Sequence, residues 1–263
     1  MRIIDFHTHI YPQKVAEKAT ASICDFYGLD GGGMCGTAEQ LIKRGDMAGI
    51  SEFVVLPVAI KPDHVRSINH FISEQVAEND RFYGFGTVHA EMDNICEEIE
   101  YINSKGLLGI KMHPDTQLFN IDDERLFPMY KMIEGKLPVV FHTGDPRYDY
   151  SHPARVRRVL DKFPKLEVIA AHFGGYSMQE TAYKYLKDTN CYMDISSSLM
   201  FMQQGEAEHY IKAYGPERML YGTDYPLWDP VVEVKRFLEL GLTDDEREKI
   251  AYKNALGILE KNL

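Results

Sequence analysis

Eight short apolar and β-branched runs, separated by stretches of helical spacing, constrain this chain more than anything else in it. They are Ile3 to His7, Phe53 to Val58, Phe82 to Val88, Leu107 to Met112, Val139 to His142, Leu166 to His172, Cys191 to Ser196 and Met219 to Thr223. Between them apolar residues recur about every 3.6 positions, as in Val65, Ile68, Ile72 and Val76, or Ile95, Ile99 and Ile102. A strand that leads through a helix into the next strand returns to pair in parallel, because only antiparallel neighbours can be joined by a tight hairpin. Several runs are apolar throughout, Val168-Ile169-Ala170-Ala171 among them, which suits strands covered on both faces. Eight such units in 263 residues predict an α/β fold of one domain, a closed (β/α)8 barrel over residues 1–263.

Local signals agree with that division. Thr37 is placed to cap the helix after the first loop, Asp122 or Asp123 the helix through Tyr130, and Ser151 with Pro153 the helix through Leu160. The segment Asp244 to Leu259 reads as a last amphipathic helix over the outside or the bottom of the barrel. The longest irregular stretch runs from His9 to Thr37 and includes Gly31-Gly32-Gly33. It follows the first strand, at the barrel mouth, where both a lid and a plain surface excursion remain open readings.

Composition removes several function classes. A net charge of −11 and the lack of any basic stripe argue against a nucleic-acid partner. Met1-Arg2 leads directly into a strand, with no leader and no long apolar segment, so the expectation is a cytoplasmic protein without a membrane role. Cys24, Cys35, Cys96 and Cys191 are scattered and show no Cys-x-x-Cys spacing, which points to reduced thiols without a chemical task. Association through the outer helices into a homo-oligomer stays open.

In a parallel barrel the reactive groups sit at the C-terminal ends of the strands. His7 and His9 end the first run, Lys111 and His113 the fourth, His142 the fifth and His172 the sixth, and Asp224 follows the eighth. His7 and His9 alternate along a strand, so both project from one face about 7 Å apart at the backbone, within reach of a single ion. Any one of these histidines could be a hydrogen-bonded packing residue; their joint placement on one rim is much harder to obtain by accident.

The strings Asp5-Phe6-His7-Thr8-His9, Phe141-His142-Thr143-Gly144, Ala171-His172-Phe173-Gly174-Gly175 and Gly222-Thr223-Asp224-Tyr225-Pro226 resemble the amidohydrolase superfamily of TIM-barrel metal-dependent enzymes. Within it they look most like the amidohydrolase 2 branch, which includes aminocarboxymuconate-semialdehyde decarboxylase. The resemblance implies that His7, His9, His142 and Asp224 are metal ligands. It also implies that His172 lies beside the reacting groups in single-ion members or binds a second metal in two-ion members. Lys111 matches the strand-four lysine that two-ion relatives carboxylate to bridge their metals, but single-ion members also carry a Gly-x-Lys-x-His-Pro string, and one ion is favoured. Unmodified, Lys111 would hold a substrate carboxylate or pair with an acidic neighbour. Three imidazoles, one carboxylate and an open position suit a catalytic divalent ion, Zn²⁺ first, with Mn²⁺, Fe²⁺ or Ni²⁺ also compatible with these ligands.

Two enzymatic readings follow, both on a small-molecule substrate. The leading one is hydrolysis of an amide, ester or lactone by a metal-activated water, with Asp224 as the proton acceptor and His172 stabilising the oxyanion. The alternative is non-oxidative decarboxylation of an unsaturated or aromatic acid, in which Asp224 or His172 protonates carbon. A reading from another class, a metal-stabilised barrel that binds without turnover, fits less well, because structural zinc sites are usually closed Cys/His shells. For substrate contacts the loops offer His113, Arg147, Tyr225 and Trp228, with Ser196 and Ser197 as hydrogen-bond donors. Arg147 could equally be a surface arginine paired with Asp145 or Asp149.

Overall fold

Residue alternation in the predicted runs becomes a barrel with two distinct faces. The structure, a computed structural model, describes residues 1–29 and 34–261. The strand segments among these residues are β1 (Ile4–Thr8), β2 (Glu52–Val55), β3 (Phe82–Gly84), β4 (Gly86–Thr87), β5 (Ile110–Met112), β6 (Val139–Phe141), β7 (Val168–Ala170), β8 (Tyr192–Asp194) and β9 (Met219–Leu220). All pair in parallel, β1 through β3 in one run and β4 through β9 in another. β3 and β4 are two halves of the third predicted strand, parted at Phe85, whose N–H still donates to Val55 O at 3.0 Å. At the other seam Phe6 N–H donates to Tyr221 O at 2.8 Å, and a parallel bridge joins Thr8 to Tyr225. The ring is therefore closed, as the eight alternations predict.

The helices follow the strands in turn: α1 (Ala16–Tyr27), α2 (Ala38–Ala48), α3 (Val65–Glu78), α4 (Ile95–Ser104), α5 (Pro114–Gln117), α6 (Phe127–Ile133), α7 (Pro153–Lys162), α8 (Gln179–Leu186), α9 (Glu206–Tyr214), α10 (Pro230–Glu239), α11 (Asp244–Glu248) and α12 (Asn254–Leu259). Thr37 caps α2 by accepting from Gln40 N–H at 3.2 Å, and Asp123 caps the 3₁₀ turn that opens α6. The cap of α7 differs from expectation. His152, rather than Ser151, accepts from Ala154 N–H, and the Ser151 hydroxyl donates to Asp115. No helix among the described residues is long and apolar enough to cross a membrane.

The stretch from His9 to Thr37 is less irregular than predicted, because the 12-residue helix α1 lies within it. Its buried positions, Ala16, Thr20 and Cys24, follow helical spacing but are small or polar, so they give a weak apolar signal. Gly31, Gly32 and Gly33 lie outside the described residues.

Outward residues of the strands, such as Phe53, Val139, Val168 and Met193, pack under the helices in a large core. The alternate residues Ile4, Val54, Val140, Ile169 and Leu220 form a second cluster with Phe6, Leu56, Phe85 and Leu108 inside the barrel. Ala255, Ile258 and Leu259 of α12 join that inner cluster, and Asn254 Nδ2 donates to Pro216 O and Met219 O at the start of β9. The final helical segment thus plugs the bottom of the barrel. It is interrupted by a π turn at Lys249–Lys253, and a capping box at Thr243 and Glu246 starts it.

Phe85 is fully buried where the third strand changes partner, and its ring meets Phe6 edge-on at 5.8 Å. Phe85→Ala should lower the unfolding free energy by about 3–5 kcal/mol, measured by urea denaturation, because removing a fully buried ring leaves a cavity inside the barrel. An unchanged midpoint would mean that the two halves are not joined through this ring.

Candidate active site

β1 shifts register between Asp5 and Thr8, so that Phe6, in the inner cluster, is followed by a His7 imidazole that also turns to the barrel interior. The backbone allows this only because residue 222 is glycine: a Cβ there would lie 2.8 Å from His7 Cβ. Three imidazoles on the rim are oriented in the same way. His7 Nδ1 lies 2.8 Å from Asp194 Oδ2, His9 Nδ1 faces Leu56 O, and His172 Nδ1 is 3.1 Å from Ser196 O. A carboxylate or carbonyl oxygen can only accept, so each Nδ1 carries a proton and each Nε2 is left turned towards the site. Burial lowers His7 to a pKa of about 4, with the Lys111 charge adding to the effect, and it lowers His172 as well. An imidazole whose Nδ1 is held by an oxygen and whose Nε2 faces inward is oriented as metal-binding histidines are.

The carboxylate that meets them is Asp224. Its Oδ1 is 3.2 Å from His9 Nε2 and 3.5 Å from His7 Nε2, and the ligand atoms of the three residues lie within 4.8 Å of one another. Its Oδ2 accepts from the Ser197 hydroxyl, and Ser197 Oγ in turn accepts from Trp228 Nε1–H at 2.7 Å. Burial opposes ionisation of Asp224, but His7, His9 and His172 outweigh it and hold the carboxyl well below the usual range. Asp194 behaves alike: burial raises it, while His7, His172 and Ser196 bring it below normal. His172, Ser197 and Asp224 all have left-handed backbone, with φ of 60°, 49° and 61°. Strain of this sort at three rim residues is characteristic of functional sites.

On the other side of the rim Lys111 Nζ lies 3.1 Å from His7 Nε2. Burial lowers Lys111 to about 8, although Asp224 and Asp194 favour its charged form. His142 approaches from beyond His172, with Nδ1 3.0 Å from His172 Nε2 and Nε2 3.5 Å from Asp115 Oδ2. Its ligand atoms group with those of His113 and Asp115 rather than with those of His7, His9 and Asp224. The rings of His113 and His142 stack at 4.0 Å, and Tyr27 Oη is 2.9 Å from His113 Nε2.

Of the expected substrate contacts, His113 is beside the site, but two others have different work. Arg147 is paired with Asp145 through Nε and Nη2, at 3.0 and 2.7 Å, and does not point at the ligand group. Tyr225 is fully buried and donates its hydroxyl to Cys35 O at 2.5 Å, so it packs the first loop and cannot face a substrate. Trp228 reaches the site through Ser197. Sequence reasoning missed Asp194, Asp115 and Tyr27. Asp194 ends β8, while His142 and His172 follow the ends of β6 and β7, and the same strand-end rule would have found it. Tyr27 arrives on a helix that the apolar pattern concealed.

A family model described as amidohydrolase matches residues 4–260. The decarboxylase orsB of Emericella nidulans is 22% identical over 271 residues, covering 86% of this chain and 74% of its own. Among solved structures, an uncharacterized TIM-barrel protein of Bordetella bronchiseptica superposes with a TM-score of 0.83 at 23% identity, covering 100% of this chain and 99% of that one. The 5-carboxyvanillate decarboxylase of Sphingomonas paucimobilis gives 0.78 at 18% identity, with 98% and 99% covered. A dihydroxybenzoic acid decarboxylase of a Polaromonas species, solved with manganese and the inhibitor 2-nitroresorcinol, gives 0.76 at 17% identity, with 99% and 97% covered.

Asp194 is fully buried and fixes both the tautomer and the direction of His7. Asp194→Asn should therefore weaken retention of a divalent ion by about 10- to 100-fold, measured by competition with a chromogenic chelator. Equal retention would show that His7 does not depend on this partner.

Proposed function

The chain belongs to the amidohydrolase family, and from that premise we propose that it is a divalent-metal-dependent enzyme that removes CO₂ from a hydroxylated aromatic carboxylic acid without oxidation. The carrying observation is the pairing of one donor group, His7, His9 and Asp224, with a buried ammonium, Lys111, 3.1 Å from His7 Nε2. An ion site and a fixed cation side by side suit a substrate with two neighbouring anionic oxygens, as a carboxylate next to a phenolic oxygen provides. The decarboxylases among the relatives and structural neighbours support this reading over hydrolysis, which would use the same groups.

The donor set fits an ion. Two imidazole nitrogens with their second nitrogens already committed, and one carboxylate oxygen, converge within 4.8 Å of one another. His142 is the fourth ligand that the family resemblance nominates. A single ion is the proposal, because the Asp194 oxygens are engaged by His7, His172 N–H, Ser196 N–H and the Ser196 hydroxyl, and are poorly placed for a second one. Both Zn²⁺, the preference of the ligand types, and Mn²⁺, which the Polaromonas neighbour binds, suit such a set. When bound, the ion would supply Lewis-acid anchoring of substrate oxygen.

The protein's own groups then have distinct tasks. Lys111 would hold the carboxylate and fix its plane. Asp224, ionised in the resting site, would accept the phenolic proton and pass it to the carbon that bears the carboxylate, with His172 beside it as the second proton-carrying group. That carbon becomes tetrahedral on protonation; the C–C bond pair then returns to the ring as CO₂ departs. Ser197, steered by Trp228, keeps Asp224 Oδ2 occupied, so Oδ1 is the oxygen directed at His7 and His9.

CO₂ release from a panel of hydroxybenzoic acids should require a divalent ion, vanish on chelation and return with Mn²⁺ or Zn²⁺. Asp224→Asn should lower kcat by about 10²- to 10⁴-fold. Turnover of an ester or lactone with no CO₂ from any acid would return the protein to the hydrolytic reading.

A further inference from the structure

Tyr27 is the last residue of α1 and stands over the barrel mouth because two interactions hold the helix end there. Gly28, in left-handed conformation, closes the helix by donating its N–H to Asp25 O and Cys24 O. Arg147 then grips the final turn: Nη1 donates to Phe26 O at 2.6 Å, and the guanidinium lies 4.7 Å from the Phe26 ring centre and 5.5 Å from that of Tyr27. The remaining nitrogens of Arg147 are fixed by the buried Asp145. Tyr176 supports the Tyr27 ring from the other side, edge-on at 5.3 Å.

The hydrogen bonds around Tyr27 have a direction. Thr116 N–H points at His113 Nδ1, at 3.4 Å, as that imidazole caps α5. With Nδ1 accepting, the His113 proton sits on Nε2 and is donated to Tyr27 Oη at 2.9 Å. The tyrosine's own proton is then left to point elsewhere. Among the described residues the other group within reach is His142, but Oη is 3.4 Å from both nitrogens of that ring, side-on rather than along either lone pair. A polarised O–H is thus aimed into the site, next to the imidazoles, without a well-aligned partner among the described residues.

We propose that Tyr27 is a substrate-recognition residue whose hydroxyl donates to an anionic oxygen of the acid, and that Arg147 and Asp145 position it there through the end of α1. This inference rests on the aromatic-acid reading above. Arg147, which the sequence nominated as a direct substrate contact, acts instead at one remove.

The test is calorimetric titration of the metal-replete protein with 2,6-dihydroxybenzoate, with metal content measured in the same samples. Tyr27→Phe keeps the ring and removes only the hydroxyl. It should weaken binding about tenfold at unchanged metal content, the usual effect of a lost hydrogen bond to a charged group. Arg147→Ala, which keeps the tyrosine hydroxyl but releases the end of α1, should lose a large part of the same factor. Equal affinity of wild type and Tyr27→Phe would overturn the inference alone. So would a parallel fall in metal content, since Tyr27 would then be acting through His142. Failure of the wild type to bind or decarboxylate any hydroxybenzoic acid would overturn both this inference and the function on which it rests.

Discussion

The seam between β1 and the segment after β9 is the contact on which the rest of the site depends. Asp5 receives Thr223 N–H at 2.9 Å and the Thr223 hydroxyl at 2.6 Å, while Asp224 N–H donates to His7 O and His9 N–H to Tyr225 O. These bonds close the barrel, and they also bring His7 and His9 beside a carboxylate more than two hundred positions later. Burial pushes Asp5 up to about 7 even though these hydrogen bonds favour its charge. Asp5 is therefore costly to desolvate, and its full set of donors is what makes it tolerable at the seam.

A second constraint is that most polar atoms around these two histidines are already committed. His7, His9 and His172 each lose one nitrogen to an oxygen acceptor, Asp194 is shared among several donors, and one Asp224 oxygen is bound to Ser197. Left to meet a ligand are inward-facing ring nitrogens, the Lys111 ammonium and the Tyr27 hydroxyl. A site with most of its hydrogen-bonding capacity saturated needs little reorganisation when an ion and an anion arrive, which is the condition for strong electrostatic stabilisation.

The chain's own pattern carried a good deal of this. The strand runs were legible because parallel strands buried on both faces are apolar throughout, and His7, His9, Lys111, His142, His172 and Asp224 were legible because polar residues are conspicuous at the ends of such runs. The break at Phe85 was not, since a strand that changes partner keeps its apolar alternation. Nor was α1, whose buried face is built from Ala16, Thr20 and Cys24. Tyr27 could not be placed without that helix. Arg147 and Tyr225 carry the right chemistry for a substrate contact, but their partners, Phe26 with Asp145 and Cys35, are fixed by loop paths that no local periodicity encodes.

The left-handed backbone at His172, Ser197 and Asp224 has a bearing on how such a protein can change over generations. At each of these positions glycine would remove a conformational penalty of about 1–3 kcal/mol that the present side chains impose. Drift towards greater stability therefore runs directly against the chemistry at three rim positions at once. Selection for turnover is what keeps those side chains in place, and a lineage released from it would be expected to lose them early while retaining the barrel.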